Sequence, residues 1–170
     1  DIIVDAMAMK LVMNPNDYQV IVAPNLYGDI LSDMAAGLIG GLGLAPSANI
    51  GDDIAIFEPV HGSAPDIAGK NISNPTSAIL TGIMMLKYMG EEKAALTIEN
   101  ALKTVLKNKK MHTKDIGGNL TTTEFKKFVK NEILRYAQDD TISRNRLSCL
   151  RLHQIQENHQ RKLFFVLVIC

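Results

Sequence analysis

The stretch Val20-Ile21-Val22-Ala23-Pro24-Asn25-Leu26-Tyr27-Gly28-Asp29-Ile30-Leu31-Ser32-Asp33 constrains this chain more than any other. Four apolar residues, two turn formers and then apolar residues at helical spacing describe a short buried strand that feeds directly into a helix. The helix is expected from about Leu26 to Ile39, with Leu26, Ile30, Leu31, Met34 and Leu38 facing a core. Asp29 and Asp33 then lie one turn apart with Cβ atoms about 6 Å from each other, close enough for two carboxylates to share one divalent cation. A third acid, Asp5, lies upstream. An acid pair at this spacing is more often a solvated helix face, because its repulsion costs only a few tenths of a kcal/mol in water. The pair acquires meaning only from the motifs around it.

Further elements follow from punctuation and period. A helical pattern from Asp5 to Val12 closes at Asn14-Pro15-Asn16-Asp17, and Ile54 to Phe57 reads as a strand. An apolar helix is expected from Pro75 to Met89 with Gly90 as its stop. A second, from Glu91 to Lys107, carries Ala94, Ala95, Ile98, Ala101, Leu102 and Leu106 on its apolar side. Thr121-Thr122-Thr123-Glu124 before Phe125 is a capped helix start with Phe125, Phe128 and Val129 as the buried stripe. Gly40, Gly41 and Gly43 fail the dinucleotide-binding fingerprint, since the spacing breaks at Pro46 and a helix precedes them where a strand is required. A hinge or tight passage between domains suits them better.

Composition divides the chain. All 12 Gly, all 6 Pro and all 8 Met precede residue 119, whereas every Arg and both Cys follow residue 134. Residues 134–170 therefore read as a tail joined to a different sequence, an unselected extension rather than a docking peptide or anchor, ending in the uncharged run Leu163 to Ile169. That run is too short to span a bilayer and has the character of an aggregation-prone strand. Cys149 and Cys170 belong to the tail and imply neither a disulfide framework nor a metal site. With 46% hydrophobic residues and a formal net charge of zero, nothing directs the chain to nucleic acid or membrane. No secretory or spanning pattern is present, and the cytoplasm is the default expectation.

Downstream of the acid pair, Glu58-Pro59-Val60-His61-Gly62-Ser63-Ala64-Pro65-Asp66-Ile67-Ala68-Gly69-Lys70 is followed by Asn74-Pro75-Thr76. With Val4-Asp5-Ala6-Met7-Ala8 and Asn25 to Asp33, in this order and spacing, the chain from residue 1 to about 133 resembles the isocitrate and isopropylmalate dehydrogenases. These are metal-dependent, β-decarboxylating oxidoreductases. Gly37 to Gly51 and Ala55 to Glu58 are more similar to NAD-dependent isocitrate dehydrogenases than to isopropylmalate enzymes, with homoisocitrate dehydrogenase as an alternative.

The resemblance implies an α/β fold, namely the C-terminal half of the isocitrate/isopropylmalate dehydrogenase fold followed by a non-family tail. Residues 1–39 would end a small dimer-forming domain, and residues 40–133 would form the C-terminal half of a large cofactor-binding domain. Asp5, Asp29 and Asp33 would bind Mg²⁺ or Mn²⁺, with Asp5 reaching the metal of a neighbouring subunit in a homodimer. His61, Gly62, Ser63, Ala64, Pro65, Asp66, Ile67 and Asn74 would bind the nucleotide. Glu58 would approach the nicotinamide side and Asp115 the adenine end. Asp66 favours NAD: its carboxylate accepts hydrogen bonds from ribose hydroxyls, whereas a 2′-phosphate about 4 Å away would cost on the order of 4 kcal/mol per unit charge at an effective dielectric near 20. NADP-dependent relatives carry Lys and Tyr where this chain has Asp66 and Ile67.

The substrate implied is a small 2-hydroxy di- or tricarboxylate, which needs guanidinium groups for bidentate binding. No Arg precedes Arg135. Those arginines, together with the proton-transferring Tyr and Lys, are expected from segments preceding Asp1, so the isolated chain is expected to lack turnover. A non-catalytic subunit or a truncated product is the alternative.

Overall fold

The computed structural model describes residues 1–147 and 166–169, with side chains described through residue 138. These residues divide into two compact units that part between Ile39 and Gly40. Among them, no helix is long and apolar enough to cross a membrane.

The first unit holds helix α1 (Val4–Met13), a 3-10 turn at Pro15–Asp17, strand β1 (Val20–Ala23), helix α2 (Asn25–Leu38) and strand β4 (Val166–Ile169). Pro24 keeps extended backbone geometry before α2 begins, the conformation that its ring and its place ahead of a helix both favour. Met7 and Leu11 of α1 pack on Leu31 of α2, and Val4, Ala8, Tyr18, Ile21 and Met34 close round them. β1 pairs in parallel with β4, Val20 opposite Val166 through Ala23 opposite Ile169.

One expectation changes here. Of the five α2 residues expected to face a core, Leu31 is buried and Met34 half-buried, but Leu26, Ile30 and Leu38 are at least half exposed. Only one line of α2 meets α1; strands β1 and β4 also pack against α2, and Leu26, Ile30 and Leu38 stay exposed. The helix that begins at Thr122 runs on into the segment read as a tail: α5 spans Thr122–Leu147, and part of the C-terminal apolar run forms β4. Cys149 and Cys170 lie outside the described residues.

The second unit begins with Gly40 and Gly41 at φ 113 and 114, backbone angles that residues with a Cβ rarely adopt. A 3-10 turn at Leu42–Leu44 leads into strand β2 (Pro46–Ile50), which pairs antiparallel with β3 (Ala55–Pro59). Helices α3 (Thr76–Tyr88), α4 (Glu92–Lys107) and α5 follow. Gly90, at φ 80, ends α3: its N–H donates to Lys87 O at 3.1 Å, and Glu91 N donates to Leu86 O at 2.8 Å. This paired arrangement satisfies carbonyls that a helix end would otherwise leave open. At the start of α5 the Thr121 hydroxyl accepts from Glu124 N, while Glu124 Oε2 accepts from Thr121 N at 2.9 Å, a reciprocal cap. Those bonds, from the backbone and hydroxyl of Thr121, hold the Glu124 carboxyl below the usual range.

The core of this unit is Ile83, Ala95, Leu102, Val105, Phe125 and Val129, drawn from all three helices. Phe125 is fully buried, as its sequence pattern predicts, and Phe128 packs at the margin. On α4 the buried line includes Val105, while Ala94 faces outward.

Candidate metal and nucleotide sites

Asp29 and Asp33 stand on the surface of α2, and neither is in an ion pair among the described residues. At about 100° of rotation per residue, each lies about 160° round the helix from Leu31, the side chain that α2 buries against α1. The two carboxylates therefore share the face opposite the packed one. Asp5 has the same relation to its own helix, about 160° from the buried Met7, with its Oδ1 accepting from Ala6 N at 2.6 Å. Met9 and Val12, both more than half exposed, flank Asp5 within about 40° on that outward side.

All three acids thus point away from the contact between α1 and α2. Among the described residues, no group of three His, Cys, Asp or Glu side chains is assembled to hold a metal within one chain. Two adjacent carboxylates suit a hard, oxygen-seeking cation in type, and the rest of its coordination must come from outside this set.

The nucleotide candidates lie in the second unit, after β3. His61 Nδ1 is 3.1 Å from Gly62 O, a ring N–H donating to the neighbouring carbonyl. Ala64 sits at φ 43, and its carbonyl accepts from both Ile67 N (3.0 Å) and Ala68 N (3.1 Å), so residues 64–68 curl into one tight turn. That turn leaves His61 through Asp66 exposed, with Ile67 half-buried. A Cβ added to Gly62 would meet no atom within 4 Å, which leaves the backbone there open to close approach. Glu58, on β3, accepts from Asn49 Nδ2 at 3.3 Å.

Asn74 differs from the rest of the set because it is buried. Its Oδ1 accepts from Thr76 N at 3.0 Å and caps α3, while its Nδ2 donates to Asp115 Oδ2 at 3.0 Å. The other oxygen of Asp115 accepts from Thr113 Oγ1 at 2.5 Å, and Thr113 is fully buried. Gly43 lies over this cluster, where an added Cβ would come within 3.4 Å of Asn74 Cβ. Sequence reasoning missed Thr113 and Gly43. The only local signal was the Thr-x-Asp spacing, which is common in solvated turns. Asn71 was missed too: at φ 56 its side-chain oxygen accepts from Thr123 N and Oγ1, and its carbonyl accepts from Thr122 N. Both ends of the segment between the nucleotide loop and α3 are thereby fastened, one to α5 and one to the turn at Lys114–Ile116.

The profile of the isocitrate/isopropylmalate dehydrogenase family matches residues 1–130. The chain belongs to this family of β-decarboxylating dehydrogenases. It is 63% identical over 125 residues to the isocitrate/homoisocitrate dehydrogenase of Thermus thermophilus, a match covering 74% of this chain and 37% of that protein. It is 52% identical over 130 residues to the mitochondrial isocitrate dehydrogenase [NAD] catalytic subunit 5 of Arabidopsis thaliana, covering 76% and 35%. The crystal structure of isocitrate dehydrogenase from Methylococcus capsulatus superposes with a TM-score of 0.75 at 49% identity, over 78% of this chain and 40% of that one. The chain spans two-fifths or less of the length of these relatives.

Proposed function

We propose that residues 1–130 supply the metal carboxylates and part of the nucleotide loop of an NAD-dependent enzyme that oxidises and decarboxylates isocitrate to 2-oxoglutarate. Asp29 and Asp33 would hold Mg²⁺ or Mn²⁺ on the outer face of α2. Asp5, on the outer face of α1, would serve the metal of the second subunit in a homodimer. A bound divalent ion offsets the negative charge that develops on substrate oxygens during oxidation and loss of carbon dioxide. The chain's own contribution is to present fixed, deprotonated oxygen ligands. In the second unit, His61 to Ile67 with Asn74 would receive the adenosine part of NAD, and Asp66 would accept hydrogen bonds from its unphosphorylated ribose.

The observation that carries this reading is the outward placement of Asp5 between Met9 and Val12. Uncovered apolar side chains beside a carboxylate mark an interface more than a free helix face. The arrangement is explained when a second copy covers the apolar surface and brings a cation to the acid. The names of the two relatives quoted above support isocitrate and NAD.

The test is expression of the whole product of the reading frame that contains these residues, assayed with isocitrate, homoisocitrate and 3-isopropylmalate. The reading expects NAD reduction with isocitrate that requires Mg²⁺ or Mn²⁺ and falls roughly a hundredfold or more in Asp29→Asn and Asp33→Asn. Full metal-dependent turnover in both variants would remove the metal assignment. A preference for one of the other acids would move the substrate. The 170-residue chain alone is expected to give no turnover.

A further inference from the structure

The relay from Thr113 through Asp115 to Asn74 joins residues that the sequence keeps 41 positions apart, and each bond in it has a fixed direction. Thr76 N is a donor, so Asn74 must turn its oxygen toward α3 and its amide nitrogen toward Asp115. A carboxylate at 115 suits that nitrogen, and the Thr113 hydroxyl takes the second oxygen. Asn74 and Thr113 are both buried, so a reversed or missing group would leave a polar atom without a partner, which is where hydrogen bonds count most. Gly43 lies beside both: a Cβ added there would stand 3.4 Å from Asn74 Cβ and 3.5 Å from Asp115 Oδ2.

We propose that Asp115 and Thr113 are positioning residues for the nucleotide site, acting through the Asn74 amide to fix the point where the loop after His61 enters α3. This rests on the assignment of that loop to the nucleotide. It differs from a role in which Asp115 itself touches the adenine. Asp115 is itself exposed, but each of its oxygens already accepts a bond, one from Asn74 Nδ2 and one from Thr113 Oγ1, and its effect on the nucleotide passes through Asn74.

A reciprocal exchange tests it in the whole product of the reading frame that contains these residues. In Asn74→Asp a second carboxylate faces Asp115, and the bond is lost. In the double variant Asn74→Asp, Asp115→Asn the relay is rebuilt with the donor moved to position 115. The carboxylate introduced at position 74 then caps α3 and accepts from the new amide, whose oxygen accepts from Thr113. Two quantities are read, hydrogen-exchange protection of the Thr76 amide and the dissociation constant for NAD by direct titration. The single variant is expected to lose protection and to bind NAD roughly tenfold more weakly, and the double variant to regain both. Thr113→Val, which removes only the hydroxyl, is expected to fall between them. Protection regained without NAD affinity would show that Asp115 meets the nucleotide directly and would overturn the proposal. Unchanged protection in the single variant would overturn it as well. If the unsubstituted product shows the protection but takes up no NAD, the nucleotide assignment of the loop fails, and the positioning role fails with it.

Discussion

Glu99 on α4 accepts from Lys87 of α3 at 2.8 Å and from Lys103 one turn further along α4. Partial burial alone would raise its pKa. The hydrogen bonds and charges of the two lysines outweigh that and lower it from 4.5 to about 2. Undiminished, such a difference is worth about 3 kcal/mol. The lysine side chains are 38% and 41% exposed, so solvent screening leaves roughly 1–2 kcal/mol. Because the folded state holds the carboxyl below its unfolded value, this stabilisation is complete above about pH 4.5 and disappears as the pH falls toward 2. Glu99→Gln should therefore destabilise the three-helix unit by about 1–2 kcal/mol at pH 7 and by almost nothing near pH 2. Urea unfolding followed by helical circular dichroism at pH 7, 4 and 2.5 gives the comparison, and 1 M salt should narrow the gap at pH 7. A difference that stays constant across this range would mean that Glu99 acts by packing and would refute the electrostatic account.

Three further outcomes follow from the same structure. Phe125→Ala empties the centre of the second unit and should cost about 3–5 kcal/mol, seen as loss of cooperative thermal unfolding in that unit. Gly118→Ala would set a Cβ 2.0 Å from the His112 carbonyl oxygen. Because that neighbour is backbone, residues 112–120 must open, and hydrogen exchange at Leu120 N, which donates to the same carbonyl at 2.9 Å, should accelerate at least tenfold. Replacing Asp66 and Ile67 with Lys and Tyr should raise the NADP-to-NAD affinity ratio by roughly a hundredfold, measured by titration of the whole product of the reading frame with each nucleotide. An unchanged ratio would remove Asp66 from the ribose site.

Local signals were legible because their partners are sequence neighbours. The acids of α2, the reciprocal cap of Thr121 and Glu124, and the stop at Gly90 depend on bonds that span six residues or fewer. The family pattern in residues 1–130 is likewise a matter of residue order. Strand β2 escaped notice because Pro46-Ser47-Ala48-Asn49-Ile50 has almost no strand character of its own. Pairing with β3 makes it a strand.

The sequence alone determined where α1 to α4 form and stop, where α5 begins and which acids share a face, since each follows from the period of the backbone and the bonds within reach of it. Only the tertiary structure decided that Leu31 is covered while Leu26, Ile30 and Leu38 are not, and that Asn74 spends its amide on Asp115. Burial and long-range hydrogen bonds depend on which surfaces meet. A helix carries the same stripe whether one neighbour covers it or several, and no local pattern specifies which residue will stand opposite a buried amide.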